Sequence, residues 1–142
     1  MRGEVFVAAG AWVGLSYDRD GNHERANECY SRLLTERRSL VTTNLAVAEA
    51  HAVLLRRSGY LPAVRLLELL RVSRFIFTLY PGAELHAQAE AIPRRYSDQD
   101  FSLTDAVSFA LMRERGICQA LAFDHHFATA GFALLPQPPS VP

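Results

Sequence analysis

The strongest constraint on the fold is a rhythm in the chain: short, nearly unbroken apolar runs recur, and helical periodicity follows most of them. Residues 4–8, Glu-Val-Phe-Val-Ala, form the first run, and Cys118 to Phe123 form a later one. Runs this short and this apolar suit strands of a parallel sheet covered on both faces. Further strands are expected at 40–42, 74–79 and 130–135. Between them lie helical stretches at about 23–37, from Thr42 or Thr43 to about Ser58, at 61–72, at 83–92, and from Ser102 to a stop at Gly116. The last is the clearest, because Leu103, Ala106, Val107, Ala110 and Leu111 recur at i, i+3, i+4, i+7 and i+8. Alternation of this kind implies an α/β fold with a central parallel sheet flanked by helices. A single domain over 1–136 and a proline-rich, flexible tail at 137–142 are expected from 142 residues.

Composition removes several function classes. Hydrophobic residues make up 49% and charged ones 21%, too apolar for a disordered chain, and no apolar run approaches the roughly 20 residues of a membrane helix. The N-terminal stretch lacks the pattern of a signal peptide, so a cytoplasmic protein with no membrane partner is expected. Net charge is zero, so nucleic-acid binding would need a local patch. All fifteen basic residues are arginine, and without a lysine or a GxGxxG pattern the phosphate-loop reading fails. Cys29 and Cys118 belong to no CxxC motif and are expected to be buried free thiols.

Chemistry is expected where acids meet the sheet edge. Asp105 falls in the first turn of the helix that starts near Ser102, Asp124 just past a strand end, and Glu49 on the apolar side of the helix after Thr43. If the strands ending at Ala8 and Asp124 are neighbours, these groups surround one crevice. Clustered carboxylates call for a hard divalent cation such as Mg²⁺ or Mn²⁺, which suggests phosphodiester hydrolysis. Simpler roles stand beside these. Ser102 and Asp105 fit a capping box, and Glu49 could pair with an arginine. His125 and His126 read as a strand-to-helix turn with one imidazole exposed, and His23, His51 and His86 are isolated. Arg56 and Arg57 complement a helix dipole, Arg94 and Arg95 are the better RNA contacts, and Trp12 and Phe75 read as core.

Four segments together resemble the PIN-domain family, and VapC-like toxins within it: Val5-Phe6-Val7 followed by small residues and Trp12; Thr42-Thr43-Asn44-Leu45-Ala46-Val47-Ala48-Glu49; Asp98-x-Asp100-Phe101-Ser102-Leu103-Thr104-Asp105; and Ala122-Phe123-Asp124-His125-His126-Phe127 followed by Gly131-Phe132. The resemblance implies a three-layer α/β/α fold, an acidic pocket for Mg²⁺ or Mn²⁺, and endoribonuclease activity in the toxin of a toxin–antitoxin pair. RNA would be the substrate, a small antitoxin the partner, and a second copy of the chain a further one. Glu49, Asp105 and Asp124 match the family's catalytic and metal-binding acids, with Asp100, Ser102 and Thr104 supporting them and Asn44 arranging the pocket. At Ala8 the family carries an aspartate. Either the natural protein lost that acid and keeps a weakened or purely binding role, or an aspartate was replaced to silence a toxic nuclease. Both leave a disabled enzyme, and the alternative is an inactive PIN-like module that binds protein or RNA.

Overall fold

A computed structural model describes residues 3–138, so residues 139–142 of the expected tail lie outside the described residues. Five parallel strands form one sheet in the order β3-β2-β1-β4-β5: β1 Val5–Val7, β2 Leu40–Thr43, β3 Ile76–Leu79, β4 Gln119–Leu121 and β5 Ala133–Leu135. The helices are α1 Ala9–Ser16, α2 His23–Thr35, α3 Asn44–Arg57, α4 Tyr60–Val72, α5 Ala83–Ala89, α6 Ala91–Arg95, α7 Leu103–Arg115 and α8 His126–Thr129.

Strand alternation divides the core into two layers. Val5, Val7, Leu40 and Leu121 face α1 to α4 through Trp12, Leu33, Leu54 and Leu66. Phe6, Val41 and Ala120 face the other side, where α7 and α8 bring Phe109, Met112 and Phe127. Successive side chains of a strand point to opposite faces, so short runs covered on both sides must be apolar throughout. This is the parallel sheet flanked by helices expected from the alternation, in the three-layer α/β/α arrangement that the resemblance implies.

Several local expectations need correction. Phe75 is 36% exposed instead of core, because it leads into β3, an edge strand whose Phe77 is also 48% exposed. Cys118 is exposed, whereas Cys29 is buried as expected. The helix expected over 83–92 is two helices, α5 and α6, joined at Glu90. Pro93 lacks an amide hydrogen and fits only the first turn of a new helix. The last strand begins at Ala133, after α8 and a turn at Gly131 with φ 102°. Gly116, at φ 71°, closes α7 in the left-handed conformation.

Candidate active site

From β1 the chain passes to β2 and β3 on one side, while β4 and β5 fill the other, so the strand order reverses between β1 and β4. The two pair in parallel with Val7 opposite Leu121, and the Ala8 amide continues the ladder by donating to the Leu121 carbonyl at 3.0 Å. Crevices at such a switch point, beyond the carboxyl ends of the strands, are where open α/β sheets place ligands. Beneath it, the Trp12 indole donates to Thr42 Oγ1 at 3.0 Å, and the Thr42 hydroxyl donates to the Val7 carbonyl at 3.0 Å. Trp12 is thus core, as its sequence context suggests, and also a brace between the ends of β1 and β2.

Asp105 plays both roles foreseen for it. Ser102 Oγ accepts from the Asp105 amide at 3.0 Å, and Asp105 Oδ2 accepts from the Ser102 amide at 3.1 Å, a complete capping box at the start of α7. The same Oδ2 lies 3.0 Å from His126 Nδ1. A carboxylate only accepts, so that contact places the imidazole proton on Nδ1. Asp124 Oδ1 accepts from the His126 amide at 2.9 Å and stands 3.9 Å from His126 Nδ1. His126 therefore sits between two acids, its ring edge-on to Phe101 at 5.4 Å and its side chain only 20% exposed.

The sequence reading left this histidine out of the site. A signal was present: an aspartate that caps the amide two residues on fixes the direction of the following side chain. Asp124-His125-His126 is such a turn.

Glu49 rides on α3, whose start is capped by Thr43 Oγ1 accepting from the Ala46 amide at 3.0 Å. Its surroundings differ from the expectation of a buried, paired acid. The residue is exposed, and among the described residues it has no arginine partner, because α3 turns it into an open crevice instead of against a neighbouring element. Burial of the carboxyl within the crevice, and then the Asp105 and Asp124 carboxylates, push its pKa above the usual value. The three acids thus share one electrostatic neighbourhood.

The crevice, about 580 Å³, is lined by Ala9, Gly10, Glu49, Val53, Arg56, Arg57, Phe123 and Asp124, and by Asp20 and Asn22. Asp105 stands outside this lining, joined to Asp124 through His126. Ser102 serves as the cap, while Thr104 contributes its carbonyl, which accepts from Ser108 Oγ at 2.8 Å. Asp100 is exposed and has no hydrogen-bond partner among the described residues. Asn44 lines a separate cavity between α3, α4 and the end of β3, not the acidic crevice, and its Oδ1 is buried without a partner among the described residues. Arg95 lines another groove, along α7, whereas Arg56 and Arg57 share the crevice with Glu49.

Comparison with known proteins agrees with this geometry. A family model described as "PIN domain" matches residues 5–133. The 23S rRNA-specific endonuclease VapC20 of two Mycobacterium tuberculosis strains is 32% identical over 128 residues, covering 90% of this chain and 95% of the relative. The crystal structure of M. tuberculosis VapC20, described as a sarcin-ricin loop cleaving toxin, superposes with a TM-score of 0.81 at 34% identity, covering 91% of this chain and 96% of that one. A match over nearly the whole chain in sequence and in fold makes this protein a member of the PIN-domain family, similar to VapC toxins.

Proposed function

We propose that the chain is a VapC-like endoribonuclease directed at ribosomal RNA, dependent on Mg²⁺ or Mn²⁺ and weakened by alanine at position 8. The observation that carries the proposal is the gathering of Glu49 and Asp124 in one crevice at the β1/β4 switch, with Asp105 joined to Asp124 through His126 and no arginine paired with Glu49 among the described residues. By its likeness to the toxins, the protein would act in the cytoplasm and be held in check by an antitoxin. No helix among the described residues is long and apolar enough to cross a membrane.

The donors suit a hard divalent cation in kind, being carboxylates without thiolates. In number they fall short: among the described residues, no three His, Cys, Asp or Glu side chains are grouped as a metal cage. An ion would have to draw on Glu49, the Oδ1 of Asp105 and the Oδ2 of Asp124, because the other aspartate oxygens are engaged by backbone amides and His126. Once bound, the ion would supply Lewis acidity to the phosphodiester and lower the pKa of a bound water. His126 fixes the Asp105 carboxylate through the 3.0 Å contact of its Nδ1 with Oδ2.

Position 8 supplies nothing to this set. An aspartate there would start α1 from a site only 4% exposed, packed in the layer of Phe6 and Phe101, the ring on which His126 stands edge-on. The test compares this chain, Ala8→Asp, and Ala8→Asp with Asp105→Ala on an rRNA fragment, with Mg²⁺ or Mn²⁺ and with chelator. Cutting should rise by roughly 10²-fold or more in Ala8→Asp, equivalent to about 1.36 kcal/mol per decade, and vanish in the double variant. A folded Ala8→Asp protein that neither binds the ion nor cuts would leave a PIN-like binding module.

A further inference from the structure

We infer that two arginines on the rim of the acidic crevice, Arg25 and Arg56, form a clamp for RNA phosphates flanking the bond to be cut. The inference rests on the endoribonuclease reading for the identity of the strand that enters. Glu49, Val53 and Arg56 recur on one face of α3, and all three line the crevice. At about 1.5 Å per residue, Arg56 stands roughly 10 Å along the helix axis from Glu49.

The neighbouring arginine is already answered. Arg57 Nη2 lies 3.7 Å from Asp20 Oδ1, and Asp20 is held by accepting from the Asn22 amide at 3.0 Å. Arg56 is exposed and has no carboxylate partner among the described residues, so its charge faces the crevice uncompensated. From α2, Arg25 lays its guanidinium over the Phe123 ring, 5.3 Å from the centroid, and Phe123 is itself part of the crevice lining. Stacking of this kind orients the planar fork and leaves its edge free for phosphate oxygens.

Electrostatics gives the pair a purpose. A phosphodiester approaching Glu49 and Asp124 is repelled until a cation intervenes, and the chain's net charge of zero offers no general attraction. Two guanidiniums on different helices, neither paired with a carboxylate among the described residues, would draw in the flanking phosphates and leave the acids uncompensated for the ion.

The experiment measures binding, not cutting, by fluorescence anisotropy of a labelled single-stranded rRNA segment in chelator, for this chain and for R25Q, R56Q, the double variant and R95Q. Each crevice substitution should weaken binding about tenfold at low salt, consistent with loss of one charge-assisted contact. Each should also lower the slope of log K against log salt by about 0.7 for a single strand. R95Q should match the parent, and R25K with R56K should recover only part of the loss, because lysine cannot make the bidentate contact.

Unchanged affinity and slope in the double variant would overturn the clamp, as would an equal loss in R95Q. Failure of RNA to bind the parent would overturn it too. The two readings fail separately. Cutting by Ala8→Asp that ignores R25Q and R56Q defeats the clamp alone, whereas arginine-dependent binding with no cutting by Ala8→Asp defeats the nuclease alone.

Discussion

Two helix starts, those of α1 and α7, share a backbone geometry and differ in their caps. Ser102 caps α7 with φ −72° and ψ 165°; Ala8 precedes α1 with φ −80° and ψ 162°. The backbones are nearly the same. At Ser102 the side chain closes a reciprocal box with Asp105, while at Ala8 the carbonyl accepts from the Ala11 and Trp12 amides and no side chain caps the turn. The α7 start shows that one carboxylate can brace a helix and face other acids at once. Position 8 has the backbone for the same double duty, without the side chain.

The sharpest way to break this comparison is thermal denaturation of Ala8→Asp with and without a divalent cation. In chelator the new carboxylate gains a cap of about 1 kcal/mol but meets repulsion from the acids already in the crevice, so the Tm should move little. With Mn²⁺ or Mg²⁺ at a hundredfold excess over its Kd, the folded state should gain about 2.7 kcal/mol. That corresponds to a rise of roughly 5–15 °C for a chain of this size. The parent should respond far less. A rise of equal size in the parent would show that position 8 is no part of the ion's site.

Smaller substitutions separate capping from ion binding. Ala8→Ser supplies an acceptor without a charge and should stabilise by about 0.5–1 kcal/mol, with no cation response. Ser102→Ala should cost a similar amount, on the order of 1 kcal/mol, by opening the box on α7. Denaturant titration of both against the parent checks the symmetry. If Ala8→Ser destabilises, the buried space around position 8, where Ala8 is only 4% exposed, does not admit an oxygen, and the likeness of the two helix starts ends at the backbone.

How far the sequence disclosed this arrangement depended on the range of each interaction. The strands were legible because both faces of the sheet are covered, which forces unbroken apolar runs such as Val5-Phe6-Val7. The Ser102–Asp105 box was legible because it closes within four residues. His126 was obscured because its partner Asp105 lies 21 residues away and only the fold brings them to 3.0 Å. Arg56 was read from its place near the end of a helix, and its sharing of a helix face with Glu49 went unread because that face opens into a crevice built from three other segments. Phe75 failed for the complementary reason, since hydrophobicity alone does not distinguish an edge strand from a central one.

The smallest expected effect concerns Glu49 and tests the charge imbalance itself. Its carboxyl is raised in the folded protein, so it contributes stability in full below its unfolded pKa, near 4.3, and that contribution is lost as pH rises through the folded value. Near neutral pH the ionised group therefore opposes folding relative to an uncharged side chain of the same shape. Glu49→Gln should melt slightly higher than the parent at pH 7, by on the order of 1 °C because the residue is exposed. The gap should close on acidification below pH 4. A gap that widens toward acid would mean that the crevice stabilises the carboxylate, contrary to crowding by Asp105 and Asp124. In the Ala8→Asp protein with Mn²⁺ the sign should reverse, because Glu49 would then meet a cation instead of bare carboxylates, and removing its charge would lower the Tm. The same substitution thus reads out whether the acids repel one another or share an ion.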